Sequence, residues 1–363
     1  MKRRKISLII IHLLLYHAIF AQTPVNDSHW QLKWQDDFNT FNTNRWIKVH
    51  NCDHDGAYQL FRNQNIWTAN GNLVIEVNNT KATCLNPDPD HPSSWCCGSC
   101  TAGTQFNYTG GWVETQNEYS TRFGYIEARI KFPFRRENNK SWGFGYGFWA
   151  WRYDGEASNV AEIDPMELFG GDFKQPNSFN TSVHTCYGAS TCSKNMFLTL
   201  TDFDYRDWHT YAIEWNSNRM IWYVDGKAVR TLSNHGIIDP VRIILSLGVQ
   251  REKNKLPPTS PSWAEYMYVD YVKVYCLKCD KNTPLIINDL TDLATYDNKV
   301  KKSITINPIT IPAGSKITLR ANDYIELKPG FEAQAGREFY LDVSPCETCV
   351  PIAEQTTRKG GDE

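Results

Sequence analysis

Charge of one sign is missing from this chain: 38 Lys and Arg stand against 40 Asp and Glu, leaving a net charge of -2, and no basic block follows the first five residues. Nucleic acid is therefore not an expected partner. Long apolar runs are missing too. The longest lies in the opening "MKRRKISLIIIHLLLYHAIFAQ", about fifteen residues, which is short for a membrane span. Its basic start, apolar middle and small or polar end are the layout of a secretory signal peptide, read here as residues 1–21 with cleavage after Ala21. Helical periodicity is the third absence, since no segment longer than a turn or two repeats its apolar residues at helical spacing. Membrane insertion and a helical fold are thereby set aside, and an exported chain of about 340 residues remains.

Cysteine, in contrast, is plentiful. Eleven in an exported chain read first as disulfides, with an odd one left free or paired between chains. Cys84, Cys96, Cys97 and Cys100 share a Pro/Asp/Ser-rich stretch, while Cys186 and Cys192 bracket a short loop and are expected to be bridged. Cys276, Cys279, Cys346 and Cys349 form two C-x-x-C pairs around the C-terminal region and are expected to cross-link its ends. Zinc is the alternative for these pairs, disfavoured by the 66 residues between them and by export.

Strand signals fill the rest. In "GYIEARIKF" Ile126, Ala128, Ile130 and Phe132 alternate with Glu127, Arg129 and Lys131, the period of a strand with one buried face. "MIWYVDGKAVRTL" joins two apolar runs through Asp225 and Gly226, a hairpin signal. "VRIILSLGV" and "YMYVDYVKVY" add further strands, and the pattern suggests an all-β, two-sheet sandwich. After Tyr275 the composition changes: residues 277–300 read as an irregular connector, 301–346 as a small β-rich accessory module, and 347–363 as a disordered tail.

One stretch concentrates acid. "AEIDPMELFGG" carries Glu162, Asp164 and Glu167. Along a strand Glu162 and Asp164 share a face, and Glu167 would point away unless one extra residue intervened. A β-bulge at Pro165 and Met166 supplies that residue at a place where proline is tolerated. Three carboxylates on one face repel and raise one another's pKa, so the row is costly unless it moves protons or holds a metal. A calcium-binding acidic strand or a solvated face is the bland alternative.

From Trp34 to Tyr275 the chain resembles glycoside hydrolase family 16, the laminarinase, lichenase, agarase and carrageenase group. "WQDDFNTFNTNRW", "GNLVIEV", "YSTRFGYIEARIKFP", "GYGFWAW", the acid stretch, "WHTYAIEWNSNRMIWYVDGKAV" and "MYVDYVKVY" follow in family order. The resemblance implies a catalytic domain over residues 22–276, folded as a concanavalin-like β-jelly-roll with an open concave cleft. It implies a retaining, endo-acting hydrolase of a β-linked polysaccharide, with β-1,3-glucan first and an algal galactan second. Glu162 would be the nucleophile, Glu167 the general acid and then base, and Asp164 the neighbour that keeps their protonation states apart. No cofactor is implied for catalysis. A structural calcium on the convex sheet is, bound by Asp270 and by the carbonyl of Gly71. The partner expected is the polysaccharide alone, bound by a monomer; a non-catalytic sugar-binding protein is the rival of another class.

Aromatic residues near the acids are candidate sugar platforms: Trp149 and Trp151, which share a face, and Trp142, with Trp112 and Trp95 behind them. Core packing is their alternative role. His184 in "NTSVHTCYG" matches a histidine often beside the family's acids. Arg152, with Arg135, Arg136 and Arg251, could read sulfate esters of a galactan or be ordinary solvated charges. "LSLGVQREKN" lacks the paired glycines of many laminarinases, so the substrate stays open between glucan and galactan.

Overall fold

The computed structural model describes residues 23–24, 27–53, 58–85, 100–153, 160–170, 172, 174–186, 192–250, 252–336 and 338–347. The leader, Trp95, Cys96, Cys97, Arg251, Cys349 and residues 348–363 lie outside the described residues. Strands dominate; the α-helix among the described residues is Leu290–Ala294, and no helix there is long and apolar enough to cross a membrane.

Two antiparallel sheets pack face to face. The site sheet runs, from its edge inward, through Met196–Thr199, Ser178–His184, Val160–Phe169, Phe144–Tyr153, Arg242–Val249 and Tyr108–Thr115. The opposite sheet runs through Asn72–Asn78, Ala264–Leu277, Gly124–Lys131, His209–Trp215, Arg219–Val224 and Lys227–Ser233. A pairing of Asn78 with Thr109 joins them at one corner. The expected hairpin turns at Asp225 and Gly226, whose φ values of 49° and 73° suit the tight turns that match strand twist.

Alternation explains how the layers meet. Ala161, Ile163, Met166 and Leu168 of the acid strand point to the opposite sheet and pack with Phe148, Ala150, Ile213 and Trp222 in one apolar core. Every second residue of the acid strand is thus committed inward, and the remainder must face the cleft. This is the all-β two-sheet sandwich expected from the strand signals, and the jelly-roll that the family resemblance implied.

Beyond Leu277 the chain winds differently. Val300–Ile306, Lys316–Leu327 and Glu338–Val343 pair in parallel, as do Thr310–Ile311 and Glu332–Ala333, so successive turns of chain stack into a short coil. Residues read as a connector contribute Cys279–Asp280 and Leu285–Ile287, both paired in parallel with Val300–Ile306, to the same sheet. Cys279 is bridged to Cys346, closing the coil at its ends, and Cys276 is disulfide-bonded as well, so these sulfurs are not free to hold zinc. Cys186–Cys192 and Cys84–Cys100 are also bridged.

A buried ionic network fastens this coil to the sandwich. Arg320, 1% exposed, donates to Asp27 at 2.8 Å and to Asp342 at 2.5 Å. Asp342 also pairs with Arg219 of the opposite sheet at 2.8 Å, and Arg219 reaches Glu214 at 3.2 Å. Burial pushes the Asp27 carboxyl upward, but His29 and Arg320 outweigh it and bring it down to about 2. A carboxylate with a depressed pKa stabilises the fold fully above its unfolded value and loses that contribution as pH falls through the folded one. Stability is therefore expected to drop between about pH 4 and pH 2. Arg320→Met would leave Asp27 with His29 alone and Asp342 with Arg219 alone as ionic partners, and is expected to cost roughly 3–5 kcal/mol in urea denaturation. A loss below about 1 kcal/mol, the worth of a surface pair, would show that the network does not carry the junction.

Candidate active site

The acid strand holds a bulge where its sequence demands one. Glu162 pairs with His184 and Asp164 with Ser182, yet Glu167 pairs with Asn180, so Pro165 and Met166 together oppose Thr181 alone. Glu162, Asp164 and Glu167 therefore face the cleft in register with His184, Ser182 and Asn180 of the next strand. Proline costs no ladder bond at this position. The bulge is braced from two sides. Gly147 lies opposite Glu167, and a side-chain carbon there would come within 2.2 Å of the Met166 carbonyl, so only glycine lets the strands close. From the opposite sheet, Trp222 donates its indole N–H to the Asp164 carbonyl at 2.9 Å.

Electrostatics separates the three acids. Asp164 is buried, and burial together with Glu162 and Glu167 holds its carboxyl well above the ordinary range, so it keeps its proton more tightly than an exposed aspartate would. The Glu167 carboxyl is also raised by burial; Asn180 opposes this by donating at 2.8 Å, and Glu162 adds to the rise. Ser182 donates to the same Glu167 oxygen at 3.2 Å. His184 Nε2 stands 3.9 Å from Glu162 and 3.7 Å from Asp164, its ring held at Nδ1 by Ser193 at 2.7 Å. Burial lowers the His184 pKa, leaving a neutral imidazole beside the row. Glu162, Asp164 and His184 offer ligand atoms within 4.8 Å of one another. A carboxyl whose proton is held tightly is a poorer metal ligand, however, whereas acids of unequal proton affinity side by side are suited to proton work.

The other sequence candidates sit as follows. Trp149 and Trp151 do share the cleft face, Trp151 in register with Glu162. They are 7% and 5% exposed, packed with Trp112, Phe61 and Val49, and Trp149 donates to Ser246 at 3.0 Å. They form a second apolar layer on the cleft side. Trp142 lies off the row, with its ring 5.0 Å from that of Trp263 and Arg135 over it at 4.2 Å. Arg152 pairs in register with the core-facing Ala161, on the face away from Glu162, and is bonded to Asp239 at 3.2 Å. Asn180 and Ser182 were missed by the sequence reading. Their signal was present in "SFNTSVH", where Ser178, Asn180, Ser182 and His184 alternate with inward residues.

Asp270 does not stand ready for calcium. Its carboxylate receives Arg129 at 2.6 Å, and that guanidinium lies over Trp208. Arg129 holds this acid in a partly exposed ion pair, which calcium would have to displace to be bound by Asp270 and the Gly71 carbonyl.

The comparisons place the chain. Residues 54–257 match the model of "Glycosyl hydrolases family 16". The chain belongs to that family. It is 29% identical over 178 residues to an endo-1,3-1,4-beta-glycanase of Rhizobium meliloti, covering 48% of this chain and 35% of the relative. A beta-glucanase of Bacillus subtilis is 22% identical over 264 residues, covering 71% of this chain and 94% of the relative. The fold matches the endo-beta-1,3-glucanase of Pyrococcus furiosus with a TM-score of 0.55 and 26% identity, over 68% of this chain and 95% of that one. The chain spans about a third of the length of the first curated relatives it matches, at 35% in each case.

The hydrogen bond from Asn180 favours the ionised form of Glu167. Asn180→Ala is therefore expected to move the Glu167 titration to higher pH, read by carbon NMR of labelled carboxyls. A titration that stayed in place or moved down would show that this bond does not hold the charge.

Proposed function

We propose that the chain is an exported, endo-acting, retaining glycoside hydrolase of a β-linked polysaccharide, with β-1,3-glucan as its substrate. The observation that carries the reading is the bulge that brings Glu162, Asp164 and Glu167 to one face, with the buried Asp164 carboxyl pushed upward between the two glutamates. Glu162 attacks the anomeric carbon while Glu167 gives its proton to the departing glycosidic oxygen; water, deprotonated by Glu167, then releases the sugar from Glu162. Asp164 relieves the crowding of charge that would otherwise keep Glu162 from being the ionised member. His184 and Ser182 hold the row in place without taking part in bond making.

The substrate rests on the printed names of the relatives, which act on β-1,3- and β-1,3-1,4-linked chains. The galactan reading is the weaker one, because Arg152 is turned from the acids and bonded to Asp239. Export is supported by the bridged cysteines, which an oxidising compartment maintains.

Glu162→Gln and Glu167→Gln are each expected to cut turnover of laminarin by at least about a thousandfold while the melting temperature holds. The Glu167 variant should keep more activity on substrates whose leaving group needs no proton. Laminarin, mixed-linkage glucan, agarose, porphyran and κ-carrageenan should be tested side by side, with early products followed by proton NMR for a retained anomer. Binding of a polysaccharide without turnover by the wild type would make the chain a sugar-binding protein instead.

A further inference from the structure

The strand path ends in Met196–Thr199 on the site sheet and in Lys227–Ser233 on the opposite sheet, and Arg230 of the second reaches across to the first sheet. Its Nη1 donates to the Thr181 carbonyl at 2.6 Å and to the Thr181 hydroxyl at 2.9 Å, and its Nη2 donates to the Lys194 carbonyl at 2.7 Å. Thr181 is the residue that alone opposes Pro165 and Met166, so the guanidinium grips the partner strand at the bulge. Thr181 is also out of character for its row. It stands fully buried between Phe179 and Val183 on the inward side of its strand, and a buried hydroxyl is costly unless it is bonded. Arg230 further pairs in register with Trp222, its guanidinium 4.6 Å above the indole that donates to the Asp164 carbonyl. One side chain thus holds the partner strand directly and the acid strand through Trp222.

Asn180 and Ser182 flank Thr181 in the chain, and both donate to the same Glu167 oxygen, at 2.8 Å and 3.2 Å. Any shift of Thr181 would carry both donors with it. We propose that Arg230 is a positioning residue for proton donation by Glu167: by fixing Thr181 it sets where Asn180 and Ser182 meet the carboxyl. It acts from the far sheet and touches neither the sugar nor the reacting atoms. A guanidinium suits the task, because its planar fork of donors fixes a strand in a way that the point charge of an ammonium does not. The assignment rests on the hydrolase reading, and two substrates separate the two ideas: laminarin, whose sugar leaving group needs a proton, and a dinitrophenyl laminaribioside, whose leaving group does not.

In Arg230→Met the ratio of kcat/KM on laminarin to kcat/KM on the aryl glycoside is expected to fall about tenfold, a part of what a well-placed general acid supplies. Arg230→Lys, which keeps the charge without the fork, should fall between wild type and Arg230→Met, and carries the test alone if Arg230→Met does not fold. The fall should be much smaller in a background of Asn180→Ala with Ser182→Ala, the two residues through which Arg230 acts. An equal fall on both substrates, or none, overturns the proposal, since a merely structural role moves both alike. So does a fall of full size in the background lacking Asn180 and Ser182. A wild type inactive on both substrates would instead sink the hydrolase reading, and this one with it.

Discussion

Three carboxylates on one face of one strand depend on a single irregularity, the extra residue between Asp164 and Glu167. Without it Glu167 would enter the apolar core and Met166 the cleft, because strand faces alternate strictly. The surrounding sequence is arranged around that irregularity. Pro165 removes a donor that a bulge does not use, and Gly147 gives room to the Met166 carbonyl. Met166 anchors the inward side among Phe148, Ile163 and Trp222. Trp222 satisfies the Asp164 carbonyl from the far sheet, so the two layers are coupled at the middle residue of the acid row. Burial then adds its part: a carboxyl that cannot be solvated is pushed upward, which disfavours charge on Asp164 relative to an exposed aspartate.

Much of this was legible before any coordinates, and the illegible parts share a cause. The spacing of two and then three with a proline in the gap pointed to the bulge, and period-two alternation put Trp149 and Trp151 on one shared face. Alternation could not say that those rings are covered, because Val49, Phe61 and Trp112 come from segments far away in sequence. It could have said that Arg152, next to Trp151, faces away, and that Asn180 and Ser182 line the acids. The fate of Asp270 was hidden for a different reason: its partner Arg129 is 141 residues distant, and a long-range ion pair leaves no local trace. The connector was misread because strands in a parallel coil need only two or three residues each, too few to show a period.

The coil after Leu277 is held to the sandwich by contacts that no segment carries alone. Asp27 lies ahead of the first strand, Glu214 and Arg219 on the opposite sheet, and Arg320 and Asp342 on neighbouring turns of the coil. Buried charges of this kind cost desolvation and are stable only when every partner is present. The network therefore ties the docking of the coil to the integrity of the opposite sheet, whose strand Arg219–Val224 also carries Trp222.

In the proposed reaction Glu162 is the group that becomes bonded to the sugar. Incubation with a 2-deoxy-2-fluoro laminaribioside bearing a good leaving group, followed by peptide mass mapping, tests this directly, since the fluorine slows release of a covalent intermediate. The expected result is one label per chain, on Glu162. A label on Glu167, or rapid turnover of natural substrate with an inverted product and no label at all, would contradict it.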